Sequence, residues 1–278
     1  MPPVPVRPVV SVAIAGFAAL LGIGLVFGAE TAGPGHARIP FAVVVFGVQA
    51  LFVASWTKAL RPPALPIVAA IGVLVAVGAD AGAVLPRVAG LAPLGYVAAG
   101  GFIVAVLAQL VRPADRARVT DSLGSTMLIM VGVVAFAMLI VLSRIPIGTQ
   151  AIFVSLAAAT VAVMVARLID AVLPWPRLAP QVPRGATGVV VGAMAGTLTG
   201  SVIGAYLVGF TPTSGAVLGL IAAATAVLAD LAVGYAEAGR QMAGDPPTTW
   251  WARHMQGPLG GFALATPLTY AISVVFLR

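Results

Sequence analysis

The chain has 278 residues, 60% of them hydrophobic and 8% charged, with a net charge of +7 and no cysteine. A soluble domain carries about 25% charged residues and a disordered chain is poor in apolar ones, so both classes are excluded. Without cysteine there are no disulfides, thiolate metal sites or cysteine nucleophiles.

Nine apolar stretches have about the length that crosses a bilayer as a helix. In chain order they run over 8–28, 39–56, 66–85, 94–111, 123–143, 149–170, 187–209, 213–235 and 257–277. The third and the last contain helix breakers. None alternates polar and apolar side chains at every second position, as a barrel strand does. The expected fold is therefore an all-α, polytopic helical membrane protein. It forms one membrane unit, with N-terminal helices over 1–120 and C-terminal helices over 121–278. The opening MPPVPVRP leads into the first stretch with no small-residue cleavage site, which reads as an anchor rather than a removed signal.

Arginine and lysine set the orientation. Arg7, Lys58, Arg61, Arg112, Arg116, Arg118, Arg167, Arg177, Arg184, Arg240 and Arg253 lie on the side of the N-terminus, eleven against Arg38, Arg87, Arg144 and Arg278 on the other. This predicts a cytoplasmic N-terminus and an external C-terminus. The basic residues are scattered over short loops, as in a bacterial inner (plasma) membrane protein, so no nucleic-acid partner is expected.

In the seventh stretch Gly192, Gly196, Gly200 and Gly204 recur every four residues, a small-residue stripe that lets helices approach closely. The connection RPADRARVTD, with Arg112, Asp115, Arg116, Arg118 and Asp121, reads as a solvated, self-paired turn. Further on, Arg167 and Asp170 stand three apart at a helix end, where they can pair with each other. Pro174, Pro176, Pro180 and Pro183 keep the following chain extended or turned, and Trp175 suits the membrane interface. Arg177 and Arg184 can hold phosphate, of a lipid headgroup or of a nucleotide.

Between Leu228 and Leu264 the chain gathers Asp230, Glu237, Asp245, Arg240, Arg253 and His254. Asp230 lies in an otherwise apolar stretch, where an unpaired carboxylate is costly. It needs a cation or a hydrogen-bond partner. One reading is a structural ion pair or a water-filled crevice. The other is a metal ligand, since hard divalent cations prefer carboxylate oxygens and bind jointly with substrate phosphates. His36 and His254 fall on opposite sides, which disfavours a two-histidine site, and no Gly-x-Ser-x-Gly elbow is present.

These residues carry a resemblance. Over roughly the C-terminal 110 residues the chain resembles the phosphatidate cytidylyltransferase (CDP-diacylglycerol synthase) family. RLAP (Arg177–Pro180) and PRGATG (Pro183–Gly188) stand where that family has its Ser-Pro-Lys-Lys-Thr-Trp-Glu-Gly loop. Gly192–Phe210 and TPTSGAVLG (Thr211–Gly219) match its glycine-rich helix and Thr-Pro turn. ADL (Ala229–Leu231), GD (Gly244–Asp245) and GPLGG (Gly257–Gly261) match its Gly-Asp-Leu, Lys-Asp and Pro-Gly-His-Gly-Gly elements.

The resemblance implies transfer of a cytidylyl group from CTP to phosphatidate, with Mg²⁺ held by two carboxylates. Asp230 matches the first of these. At the place of the second the chain reads Phe262, Ala263, Leu264, Ala265, Thr266, and Leu259 replaces the family histidine. Asp245 is the candidate replacement ligand, and Arg177, Arg184 and Arg240 are the candidate phosphate ligands. The loop lysines and the Trp-Glu pair are also missing, so the expectation is a family member with weak or no turnover. The alternatives are a non-catalytic lipid-binding or scaffold subunit, as a homodimer or beside a partner membrane subunit, and a small-solute transporter.

Overall fold

The computed structural model describes residues 4–111 and 118–276. Its helices are α1 (Pro8–Glu30), α2 (Ile39–Leu60), α3 (Leu65–Val84), α4 (Ala92–Leu110), α5 (Val119–Leu142), α6 (Gly148–Val172), α7 (Ala186–Tyr206), α8 (Pro212–Met242) and α9 (Trp250–Phe276). A short hairpin, β1 (Arg177–Ala179) and β2 (Val182–Gly185), joins α6 to α7. Among the described residues these nine helices are long and apolar enough to cross a membrane. At about 1.5 Å per residue even the shortest covers roughly the 30 Å hydrocarbon layer. The chain is an all-α, multi-pass membrane protein.

Local sequence sets the helix starts. Pro8, Pro40, Pro66, Pro93 and Pro212 occupy the first or second helical position of α1, α2, α3, α4 and α8. There the missing N–H has no intrahelical partner to lose and the fixed φ suits the helix. Thr211 and Ser214 add a reciprocal capping box to α8.

Two boundaries differ from the hydropathy reading. α8 runs on to Met242 and α9 starts at Trp250, because Ala-Glu-Ala-Gly-Arg-Gln and Trp-Ala-Arg-His-Met-Gln lose hydropathy without losing helix-forming ability. α9 also continues through Pro258 and Pro267, as membrane helices can when neighbours satisfy the freed backbone groups.

Connections alternate between the two ends of the bundle. At one end Arg61, after α2, donates to the carbonyls of Pro246 (2.7 Å) and Pro247 in the α8–α9 loop. At the other, Arg144, after α5, donates to Ala83 and to Pro86 (2.6 Å) beyond α3. α5 packs on α2, α3 and α4, whereas α1 packs chiefly on α6. α1 thus sits against a C-terminal helix, and α5 touches α9 as well as the N-terminal helices.

The α7 stripe works as the sequence predicts. A Cβ at Gly192 would stand 2.5 Å from Ala162 O of α6, and one at Gly196 would stand 2.5 Å from Ala223 Cβ of α8. Gly188 extends the stripe toward Asp170. Elsewhere the core is aliphatic and aromatic, with Phe52 stacked on Trp56 and edge-on to Phe136. Among its buried polar groups, Gln49 of α2 donates to Asp80 Oδ1 of α3 at 2.9 Å and to Val133 O of α5 at 3.1 Å.

Candidate functional site

Four charged side chains from three elements meet at the end of the bundle that carries the hairpin. Arg167 of α6 donates to both carboxylate oxygens of Asp230 of α8, with Nε at 2.8 Å from Oδ2. Arg184 of β2 donates from Nη1 to the same Oδ2 at 2.5 Å. Its Nε forms an ion pair with Asp170 of α6, whose Oδ1 also accepts the N–H of Gly185 at 2.9 Å. The order Arg167–Asp230–Arg184–Asp170 alternates in sign and is neutral as a whole. That neutrality makes its burial tolerable, since a lone charge in this position would be expelled or neutralised.

The expected pairing of Arg167 with Asp170 is therefore corrected. Their spacing on one helix permits it, but Asp230 and Arg184 offer each of them a buried partner from another element. Asp170, Arg184 and Asp230 are almost wholly withdrawn from solvent. Burial by itself pulls the Arg184 guanidinium pKa down; the Asp230 and Asp170 carboxylates outweigh it and hold the pKa above its usual value.

Glycines make the approach possible. A Cβ on Gly257 of α9 would overlap Asp230 Oδ1, and one on Gly188 would stand 2.6 Å from Asp170 Oδ1. The GPLGG stretch is thus part of a helix pressed against the carboxylate, and Gly261 likewise meets Ala226 O.

Beside the quartet lies a cavity of about 330 Å³, bounded by the segment before α1, the first turns of α1, β2, α8 and the start of α9. Arg7, Arg167, Arg184 and Arg253 reach its wall, against Asp230 and Glu237. Glu237 is itself engaged, accepting from Arg240 at 2.6 Å and from Thr248 at 2.9 Å. Charges cancel within the neutral quartet, so the positive character of the wall comes from Arg7 and from Arg253, the latter 3.9 Å from Glu237. Arg184 Nη2 finds no hydrogen-bond partner among the described residues and is itself withdrawn from solvent.

Other expected site residues are placed elsewhere. Arg177 donates to Val4 O at 2.8 Å, and Arg240 is held by Glu237. Asp245 follows α8 in a loop, its N–H bonded to Arg240 O at 3.0 Å. Ten helical residues separate Arg240 from Asp230, about 15 Å along the axis. His254 stands at the cavity and His36 in a 3₁₀ turn, Gly35–Arg38, between α1 and α2. Arg118 pairs with Asp121 at 2.5 Å as expected, while Arg112, Asp115 and Arg116 lie outside the described residues.

The donor set does not fit Mg²⁺. Both oxygens of Asp230 are bonded to guanidinium groups, Gly257 fills the space on its α9 side, and Asp245 is remote. Among the described residues no three His, Asp or Glu side chains converge as a metal site. Arg167 as the partner of Asp230 and Asp170 as the partner of Arg184 were not singled out by sequence. The usable signal was that a carboxylate in an apolar span requires a cation, and Arg167 is one of few cations flanked by an equally apolar span. Comparison with protein families, curated proteins and solved structures finds no match to this chain.

Proposed function

We propose that this chain is a non-catalytic, lipid-phosphate-binding member of the phosphatidate cytidylyltransferase family in a bacterial inner membrane. The cavity faces the cytoplasm and holds the phosphate headgroup of an anionic phospholipid. The reading rests chiefly on Asp230. The carboxylate that matches a metal ligand of the family is taken by Arg167 and Arg184 at the wall of an arginine-rich cavity.

Phosphoryl and nucleotidyl transfer need cations placed on the charge that develops in the transition state. Guanidinium groups already committed to two carboxylates supply little of that. Binding asks less: a phosphate needs donors and a positive potential, which Arg7 and Arg253 offer at the cavity wall.

Purified protein with labelled CTP, Mg²⁺ and phosphatidate should form no CDP-diacylglycerol, while phosphatidate should co-purify with the protein and be detected by mass spectrometry. Product formation that is lost in Asp230→Asn would restore the enzymatic reading. Co-purification of zwitterionic lipid alone would remove the phosphate-headgroup reading.

A further inference from the structure

The segment ahead of α1 runs along the wall of the cavity, with an extended backbone at Arg7. Val4 donates its N–H to Pro180 O at the tip of the hairpin, 2.9 Å away, and accepts from Arg177 Nη1 at 2.8 Å. Val4 and Val6 are half-buried while Pro5 and Arg7 are exposed, the alternation of an extended strand laid on a surface. All four residues form part of the cavity wall.

The attachment is light. Among the described residues, Pro180 and Arg177 are the groups that hydrogen-bond to residues 4–6, and Arg177 is exposed. Pro5 has no N–H to contribute. At Arg7 the backbone is extended, and at Pro8 the helix begins, packed on α6. The segment is thus anchored firmly at one end and latched at the other.

We infer that residues 4–7 are a releasable strap, latched jointly by Pro180 and Arg177, that controls access to the cavity. A phosphate offers a guanidinium two charged oxygens in place of the single Val4 carbonyl. An anionic headgroup reaching Arg177 therefore competes with the latch and frees the strap. Only the identity of that ligand rests on the function proposed above; the strap itself rests on the Val4, Pro180 and Arg177 contacts.

The chain has no cysteine, so Ser11→Cys places a single thiol on the α1 wall of the cavity. Its rate of modification by a charged, water-soluble methanethiosulfonate reports access without any ligand. Adding Val4→Pro, which removes the donor to Pro180, or Arg177→Ala, which removes the other half of the latch, should accelerate modification at least tenfold with the melting temperature unchanged. Equal rates in the parent and in Val4→Pro overturn the strap; because that change removes a single donor from a surface segment, the test stands even if Arg177→Ala misfolds. In Val4→Pro, whose strap is already released, dioleoyl phosphatidate should slow modification by filling the cavity. Failure of that arm alone counts against lipid-phosphate binding and leaves the strap intact.

Discussion

Arg184 Nη1 donates to Asp230 Oδ2 at 2.5 Å, and both side chains are almost entirely shielded from solvent. This contact joins the hairpin to α8, and Arg167 and Asp170 extend it to α6. α6, the hairpin that follows it and α8 are fixed to one another at the cavity.

Removing the central carboxylate should be severe. Asp230→Ala leaves Arg167 without a counter-charge and two arginines sharing Asp170 alone, a loss on the order of 3–5 kcal/mol for a broken buried pair. Thermal unfolding in detergent would register it. A double-mutant cycle of Asp230→Asn and Arg184→Gln should show coupling of about 1 kcal/mol or more, because contacting charges are not additive. Additive losses would mean that the pair contributes nothing beyond its separate groups.

Gly257 and Gly234 both line the cavity, yet they should respond differently to alanine. A Cβ at Gly257 overlaps Asp230 Oδ1, whereas at Gly234 the nearest atom is Val182 Cγ1 at 3.6 Å, an ordinary contact. Gly257→Ala must push α9 away from α8, at about 1–3 kcal/mol for an overpacked site. Gly234→Ala should leave the melting temperature nearly unchanged. Equal tolerance of both substitutions would show that the close approach of α9 is not required.

What the sequence made legible follows from what governs each feature. The nine spans were readable because hydropathy alone decides whether a segment enters a bilayer. The glycine stripe was readable because its four-residue period holds on any helix. The ends of α8 and α9 were missed, since a helix can leave the membrane without ending. Asp80 went unnoticed because its partner, Gln49, is uncharged and lies on another helix. Asp230 was found, along with its need for a cation; which cation depends on how α6, β2 and α8 pack, and spacing along the chain does not encode that. The hairpin at residues 177–185 was readable only as an extended, proline-marked segment.

Arg61 should act as a clamp on the α8–α9 loop. Its two donations to Pro246 and Pro247 carbonyls join parts of the chain that are remote in sequence. They are exposed, so Arg61→Ala should cost only about 1 kcal/mol of global stability. Local opening is more sensitive than global unfolding. Limited trypsin digestion should cut faster after Arg240 and Arg253 in Arg61→Ala than in the parent. Unchanged cleavage would mean that the loop is held by other contacts.

The most discriminating measurement concerns the metal. An ion that binds the folded protein stabilises it by mass action, about 2.7 kcal/mol at one hundred times its dissociation constant. A Mg²⁺ or Mn²⁺ site at Asp230 would therefore raise the melting temperature as the ion is added and lower it again with EDTA. The arginine pairs make the opposite outcome the expected one. Asp230 can accept a divalent cation only by releasing Arg167 and Arg184, and that would leave two guanidinium groups beside a third positive charge. The melting temperature should be indifferent to millimolar Mn²⁺ and to EDTA alike, and phosphatidate retention should survive chelation. Saturable Mn²⁺ binding by electron paramagnetic resonance, abolished by Asp230→Asn, would show that the quartet opens to admit a metal.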